Sequence, residues 1–279
     1  MQALKDKTIL ITGATDGLGK EVAKKAAQAG AKVLLHGRNP EKGKQVMQEI
    51  KSAGNENIFY YNADFASLQA VKEMSEAIIR DHEHVHVLIN NAAIGGGPKG
   101  SRKRELSIDG YELRLAVNYL AHYLLTQNLL PLIVYSAPAR IVHVSSVGQS
   151  PIDFDDIMME KKYDSYEAYC RSKLAQIMYG FDLTEHLKDK GVSVNSLHPA
   201  SLMNTSMVHD FFGRVTSTVG EGVAVVEYVA FSPETEGITG AYFHQMKRAK
   251  AHAQAYNTAA RKKLWEISEK LTNSYHIQT

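Results

Sequence analysis

The chain has 279 residues, 44% hydrophobic and 22% charged, an ordinary balance for a soluble globular protein with one substantial core. A formal net charge of +2 argues against nucleic acid or an anionic membrane as the main partner. The single cysteine, Cys170, excludes an intrachain disulfide and fits a reducing, cytoplasmic setting.

The N-terminus reads Met1-Gln2-Ala3-Leu4-Lys5-Asp6-Lys7 before an apolar run, so no signal peptide is expected. Short apolar, β-branched runs predict strands at Thr8–Ile11, Lys32–His36, Ile58–Asn62, Val85–Asn90, Arg140–Ser145 and Val192–His198, with a seventh at Gly240–Phe243. Helical patterns separate them at Gly17–Ala29, Pro40–Ala53, Leu68–Asp81, Ile108–Leu132 and Ser165–Lys188. The most apolar stretch, Leu113–Tyr135, is broken by Arg114, Asn118, His122, Gln127, Asn128 and Pro131. A membrane span needs roughly 20 nearly uninterrupted apolar residues, so a buried helix is expected there. Strands apolar on both faces, alternating with helices, predict a doubly wound, mostly parallel α/β sheet. No linker or repeat divides residues 1–279, and a single domain is expected. Such sheets bind ligands at the carboxyl ends of their strands.

The first strand runs into Thr12-Gly13-Ala14-Thr15-Asp16-Gly17-Leu18-Gly19. Glycines there allow a tight turn and close approach to a pyrophosphate, and the following helix start offers free N–H groups. A glycine triplet alone can be a plain turn; a strand before it and a helix after it supply the required context. The second strand ends in Gly37-Arg38-Asn39, with no acid to accept from a ribose diol. A guanidinium fork suits a 2′-phosphate, so NADP(H) is the expected cofactor, against the plainer reading of a solvated arginine.

The spacing of Gly13, Gly17 and Gly19 resembles the glycine signature of the short-chain dehydrogenase/reductase family. The resemblance implies a Rossmann-type fold and a hydride transfer between nicotinamide and a carbonyl or alcohol carbon. It extends through Asn62-Ala63-Asp64-Phe65, similar to the family's adenine site, and Asn90-Asn91-Ala92-Ala93, similar to Asn-Asn-Ala-Gly with alanine last. Pro199 and Thr205 match the segment that holds the nicotinamide carboxamide, with Pro199-Ala200 where Pro-Gly is usual. Cofactor contacts are thereby expected at Gly13, Thr15, Asp16, Gly17, Leu18, Gly19, Arg38, Asn39, Asp64, Phe65, Asn91, Ala92, Tyr169, Lys173, Pro199 and Thr205.

The family's Tyr-x-x-x-Lys appears as Tyr169-Cys170-Arg171-Ser172-Lys173. One helical turn apart, the two side chains share a face. A free phenol has a pKa of about 10, and a nearby ammonium lowers it toward useful acid–base chemistry. Tyr163 and Tyr166 have Glu167 and Cys170 at the same offset, so only Tyr169 qualifies. By resemblance Ser146 binds the reacting oxygen while Ser145 belongs to its strand, and Asn118 holds a water linked to the lysine. The implied catalytic set is Asn118, Ser146, Tyr169 and Lys173. No metal is required, and His82, His84 and His86 read as a solvated loop entering a strand.

Within the family the chain looks closest to the retinol-dehydrogenase-like branch. The marks are Asp109-Gly110-Tyr111-Glu112, Ala121-His122-Tyr123-Leu124-Leu125-Thr126, the Ala168–Ala175 stretch, Gly240-Ala241-Tyr242-Phe243 and Leu264-Trp265. The long interval from Ser146 to Tyr169, with Ile152-Asp153-Phe154-Asp155-Asp156, is another. Many members carry an N-terminal membrane anchor; none is expected from the residues before Thr8, and retinoid or lipid substrates are therefore not expected. The expected partner is a small, apolar carbonyl or alcohol compound, contacted by loops 94–104, 147–164 and 200–222. The last, with Met203, Met207, Phe211 and Phe212, reads as a lid or as core; Lys99–Arg104 reads as a solvated basic loop. A homodimer or homotetramer is left open. A non-catalytic NADP(H)-binding sensor or scaffold, and an epimerase or dehydratase, are the alternatives, and the intact tyrosine, lysine, serine and asparagine favour the reductase.

Overall fold

The computed structural model describes residues 4–97, 101–212 and 215–277. Eight strands form one sheet in the order β3-β2-β1-β4-β5-β6-β7-β8. They are β1 (Thr8–Ile11), β2 (Lys32–Gly37), β3 (Ile58–Asn62), β4 (Val87–Asn90), β5 (Ala139–Val144), β6 (Val192–His198), β7 (Ala241–His244) and β8 (Lys247–Ala249). Pairing is parallel from β3 through β7, and only β8 runs antiparallel, against β7. The central strands face apolar layers on both sides. In β1, Leu10 enters one core cluster while Ile9 and Ile11 enter the other.

Helices α1 (Gly17–Gln28), α2 (Pro40–Ser52) and α3 (Leu68–Asp81) follow the first three strands. Each has a side-chain cap for its orphan N–H groups: Asp16 accepts from Gly17 N, Asn39 from Glu41 N and Lys42 N, and Ser67 from Ala70 N. Then come α4 (Leu113–Leu115), a π-helical turn (Ala116–Leu120), α5 (Ala121–Tyr135) and α6 (Ser165–His186). The remaining helices are α7 (Ser206–Phe212), α8 (Val219–Phe231) and α9 (Thr258–Thr272).

Several expectations need correction. The sheet has eight strands, not seven: β8 is exposed and polar, without an apolar signal. The long helix starts at Leu113, not Ile108. Residues 107–110 instead form a turn, with Gly110 N donating to Ser107 O and Gly110 at φ 83. The histidines before β4 are not a solvated loop. His82 is buried against the Tyr61 hydroxyl at 2.8 Å, and His86 Nδ1 accepts from Thr8 N at 3.0 Å. Within the 200–222 segment, residues 206–212 are helical and 219 onward belongs to α8. Pro98–Gly100, Gly213, Arg214 and the side chains of Phe211 and Phe212 lie outside the described residues.

Candidate active site

Strand order reverses between β1, with β2 on one side, and β4 on the other. There the carboxyl ends open onto a cleft of about 730 Å³. All the expected site residues except Asn118 line it.

The glycine turn after β1 is packed as closely as backbone allows. A Cβ on Gly13, whose φ is 65, would come within 2.8 Å of Ala92 Cα, and one on Gly19 would strike the Gly13 carbonyl. Asn91 clasps this turn, donating from Nδ2 to Thr12 O at 2.9 Å and Gly13 O at 3.2 Å. Thr15 sits against Gly37, where any side chain would collide with it. Gly17 opens α1 toward the cleft, facing Thr205, and Leu18 is buried beneath. Phe65 stacks on His36 at 4.1 Å, and Asp64 Oδ1 accepts from Ala66 N at 2.9 Å.

Arg38 is exposed on the cleft and has no partner among the described residues, whereas the Asn39 side chain is taken up in capping α2. Lys42, one turn into α2, brings a second cation to the same wall and pairs with Asp16 Oδ2 at 2.8 Å. Sequence reasoning missed Lys42, although its one-turn offset from Arg38 was a readable signal.

At the opposite end, Asp164 caps α6 and aims Tyr169 and Lys173 across the end of β5. Tyr169 hydrogen-bonds Ser146, and burial pushes its phenol up to about 12. Lys173 is only 3% exposed; its Nζ donates to Val144 O at 2.9 Å and Gln176 Oε1 at 3.1 Å. Burial draws its ammonium down to about 7. The Nζ lies 5.9 Å from the centre of the Tyr169 ring. Ser145 Oγ donates to Lys173 O at 2.7 Å, pinning the helix to the strand.

Asn118, in the π-helical turn, makes no direct hydrogen bond to Lys173 among the described residues. Its side chain accepts from Ile94 N at 2.8 Å and donates to Ile94 O and Ser172 Oγ, each at 3.0 Å. These bonds hold the loop after β4. Two further cleft residues escaped the sequence. Tyr166, 45% exposed, stacks near-parallel on Tyr169 with ring centres 6.2 Å apart. His198 donates or accepts through Nε2 at Ser201 Oγ, 3.0 Å away, while its buried Nδ1 has no partner among the described residues. Pro199 packs toward Gly222, and Leu202 holds a left-handed φ of 47 supported by Thr216 N donating to its carbonyl.

A parallel sheet with a glycine turn at its switch point and a Ser–Tyr–Lys group across the cleft defines a dinucleotide-binding oxidoreductase. The pattern of the short chain dehydrogenase family matches residues 7–214. Human retinol dehydrogenase 11 is 34% identical over 276 residues, spanning 95% of this chain and 85% of that protein. A structure from Mycobacterium paratuberculosis shares the fold with a TM-score of 0.81 at 24% identity, covering 98% of this chain and 96% of that one. A short chain dehydrogenase from Escherichia coli CFT073, solved with NADPH, has a TM-score of 0.72 at 24% identity over 88% and 99% of the two chains. The chain belongs to the short-chain dehydrogenase/reductase family, in the branch that contains the retinol dehydrogenases. It is a nicotinamide-dependent oxidoreductase acting on CH–OH or C=O groups. Among the described residues, no helix is long and apolar enough to cross a membrane.

Proposed function

We propose that the protein is an NADP(H)-dependent reductase of small apolar carbonyl compounds, running in reverse as an alcohol dehydrogenase, with Tyr169 as general acid and base. The observation that carries this reading is the convergence of Ser146, Tyr169 and Lys173 at one end of a cleft whose other end presents Arg38 without a partner among the described residues. The residues present fit a dinucleotide. The Gly17 backbone faces the cleft at the positive end of α1, and Arg38 with Lys42 offers charge for a 2′-phosphate. Asp64 and Phe65 would hold the adenine, Asn91 and Ala92 the central portion, and Pro199 with Thr205 the carboxamide.

A reduced nicotinamide bound there supplies the hydride. Tyr169, kept protonated by burial, donates its phenolic proton to the substrate oxygen. The Ser146 hydroxyl donates a hydrogen bond to the same oxygen as negative charge develops. Lys173 stabilises the phenolate left behind, and the reverse reaction begins from that phenolate. Asn118 acts at one remove, fixing Ile94 on the substrate side. Ile94, Leu113, Val117, Val147, Met203 and Met207 make the remaining walls apolar. A reducing, cytoplasmic setting suits the buried free thiol of Cys170.

The test is a panel of apolar and charged aldehydes and ketones, with NADPH oxidation followed by absorbance. Turnover concentrated among apolar members supports the reading. A panel-wide failure with NADPH alongside activity with NADH, or selection of charged substrates, contradicts it.

A further inference from the structure

Behind Lys173 lies a line of buried polar groups that the proposed chemistry leaves unused. Gln176, one turn further along α6, accepts from Lys173 Nζ through Oε1 at 3.1 Å. Its Nε2 faces His122 Nδ1 at 3.2 Å. His122, on α5 and 1% exposed, also has Nδ1 3.0 Å from the Asn118 carbonyl oxygen and Nε2 3.0 Å from Thr12 Oγ1. Thr12 Oγ1 in turn accepts from Asn91 N and Ala92 N, both at 2.9 Å.

The donors and acceptors along this line conflict. Burial keeps His122 neutral, so one ring nitrogen carries a proton and the other is bare. The Thr12 oxygen already accepts two N–H groups, so its own proton goes to Nε2 at 3.0 Å in preference to the longer contact with Ile89 O at 3.4 Å. The Asn118 carbonyl likewise calls for the proton on Nδ1. Gln176 alone demands the opposite, because its NH₂ group points at Nδ1 while its oxygen faces the Lys173 ammonium. If Lys173 is neutral the conflict disappears. The Gln176 amide turns over, its NH₂ donates to the amine lone pair, and its oxygen accepts from Nδ1–H.

We propose that Gln176 and His122 are positioning residues whose amide orientation and ring tautomer switch together with the charge on Lys173. This lets a fully buried lysine alternate between charged and neutral forms while its surroundings adjust their donors and acceptors to match. The other titratable groups near Lys173 are His143 from β5 and His198 from β6, both of which its charge helps to lower, and Tyr169 from its own helix. Burial is the cause that lowers the lysine, so its protonation falls to the hydrogen-bond partners to tune. The catalytic consequence rests on the Tyr169–Lys173 reading above; the switch itself does not.

The direct test is ¹⁵N NMR of the whole chain labelled at histidine, with the His122 signals identified by their loss in His122→Asn. As pH rises through neutrality, His122 should pass from the Nε2–H to the Nδ1–H tautomer. In Lys173→Met it should remain Nδ1–H throughout, and in Gln176→Leu it should cease to respond to pH. A single tautomer at every pH in the unmodified protein, or an unchanged response in either variant, overturns the switch. In steady-state reduction, Gln176→Leu removes an acceptor from the ammonium and should move the alkaline limb about one pH unit lower, and Gln176→Glu should move it higher. A merely structural role would lower rates without shifting the limb in opposite directions. An alkaline limb that persists unmoved in Lys173→Met contradicts the catalytic reading instead, and the NMR result then decides the switch alone.

Discussion

Lys42 reaches across the mouth of the cleft to pair with Asp16, Nζ to Oδ2 at 2.8 Å. The pair ties α2 to the glycine turn and holds the Asp16 carboxyl below its usual range. It also parks a second cation beside Arg38, where a 2′-phosphate would distinguish NADP(H) from NAD(H). A charge-assisted hydrogen bond contributes roughly 1.5–3 kcal/mol, so NADPH should exceed NADH in kcat/KM by at least about tenfold. Arg38→Asp should reverse the preference. Lys42→Ala should weaken it roughly severalfold, since it also leaves Asp16 uncompensated near the phosphate. Both comparisons belong at fixed ionic strength because the contacts are exposed. Equal use of the two cofactors by the unmodified protein would place Arg38 outside the phosphate site.

The segment from Ser201 to Ser217 is closed at its base. Asn204 N donates to Ser217 O, Thr216 N to Leu202 O, and Thr216 Oγ1 to Ser201 O. Met207 and Val208, on α7 beyond that clasp, line the cleft. Ser206 Oγ donates to Asp16 Oδ2 at 3.3 Å, so the segment also meets the cofactor turn. We expect α7 to act as a lid, with limited proteolysis near it slowed when NADPH and a substrate analogue are bound. Cleavage that ignores both ligands would make the segment a fixed wall.

Much of this was legible in the residues. The seven parallel strands follow from short apolar runs, which burial on both faces enforces, and the Tyr169–Lys173 face follows from the helical period of three to four. The π-helical turn at Ala116–Leu120 was not, because its apolar pattern is indistinguishable from that of an ordinary buried helix. The start of that helix was misplaced because Ile108 looks like the first residue of an apolar face, yet is 75% exposed on a glycine turn. The link between Gln176 and His122 was invisible for another reason. They come from different helices, and their meaning lies in which donor faces which acceptor, a fact that no spacing encodes.

Buried histidines should make the fold acid-sensitive. Burial draws His36 and His198 down to about 4 and His143 to about 3, from an ordinary value near 6.5. Their folded values are depressed, so the unfolded chain takes up protons first as pH falls. Stability present above pH 6.5 is therefore lost between 6.5 and the folded values. Each fully buried histidine should cost about 2 kcal/mol by pH 5, and together they should lower the unfolding free energy by several kcal/mol between pH 7 and 5. Lys173 adds only about half a kcal/mol to this loss, because its folded form, half charged near its value of about 7, is charged like the unfolded form by pH 5. Denaturant melts at the two pH values measure the loss, and coincident curves would show that protons enter the core freely.

The central claim is that the Tyr169 phenol delivers the proton while the hydride is transferred. Tyr169→Phe keeps the ring that stacks on Tyr166 and removes the hydroxyl that bonds Ser146. The measurement is kcat for NADPH-dependent carbonyl reduction, paired with the Kd for NADPH, in this variant and the unmodified protein. A Kd within a few-fold, with kcat reduced at least ~100-fold, is the expected result. Tyr169→Phe turning over at close to the unmodified rate would contradict the account.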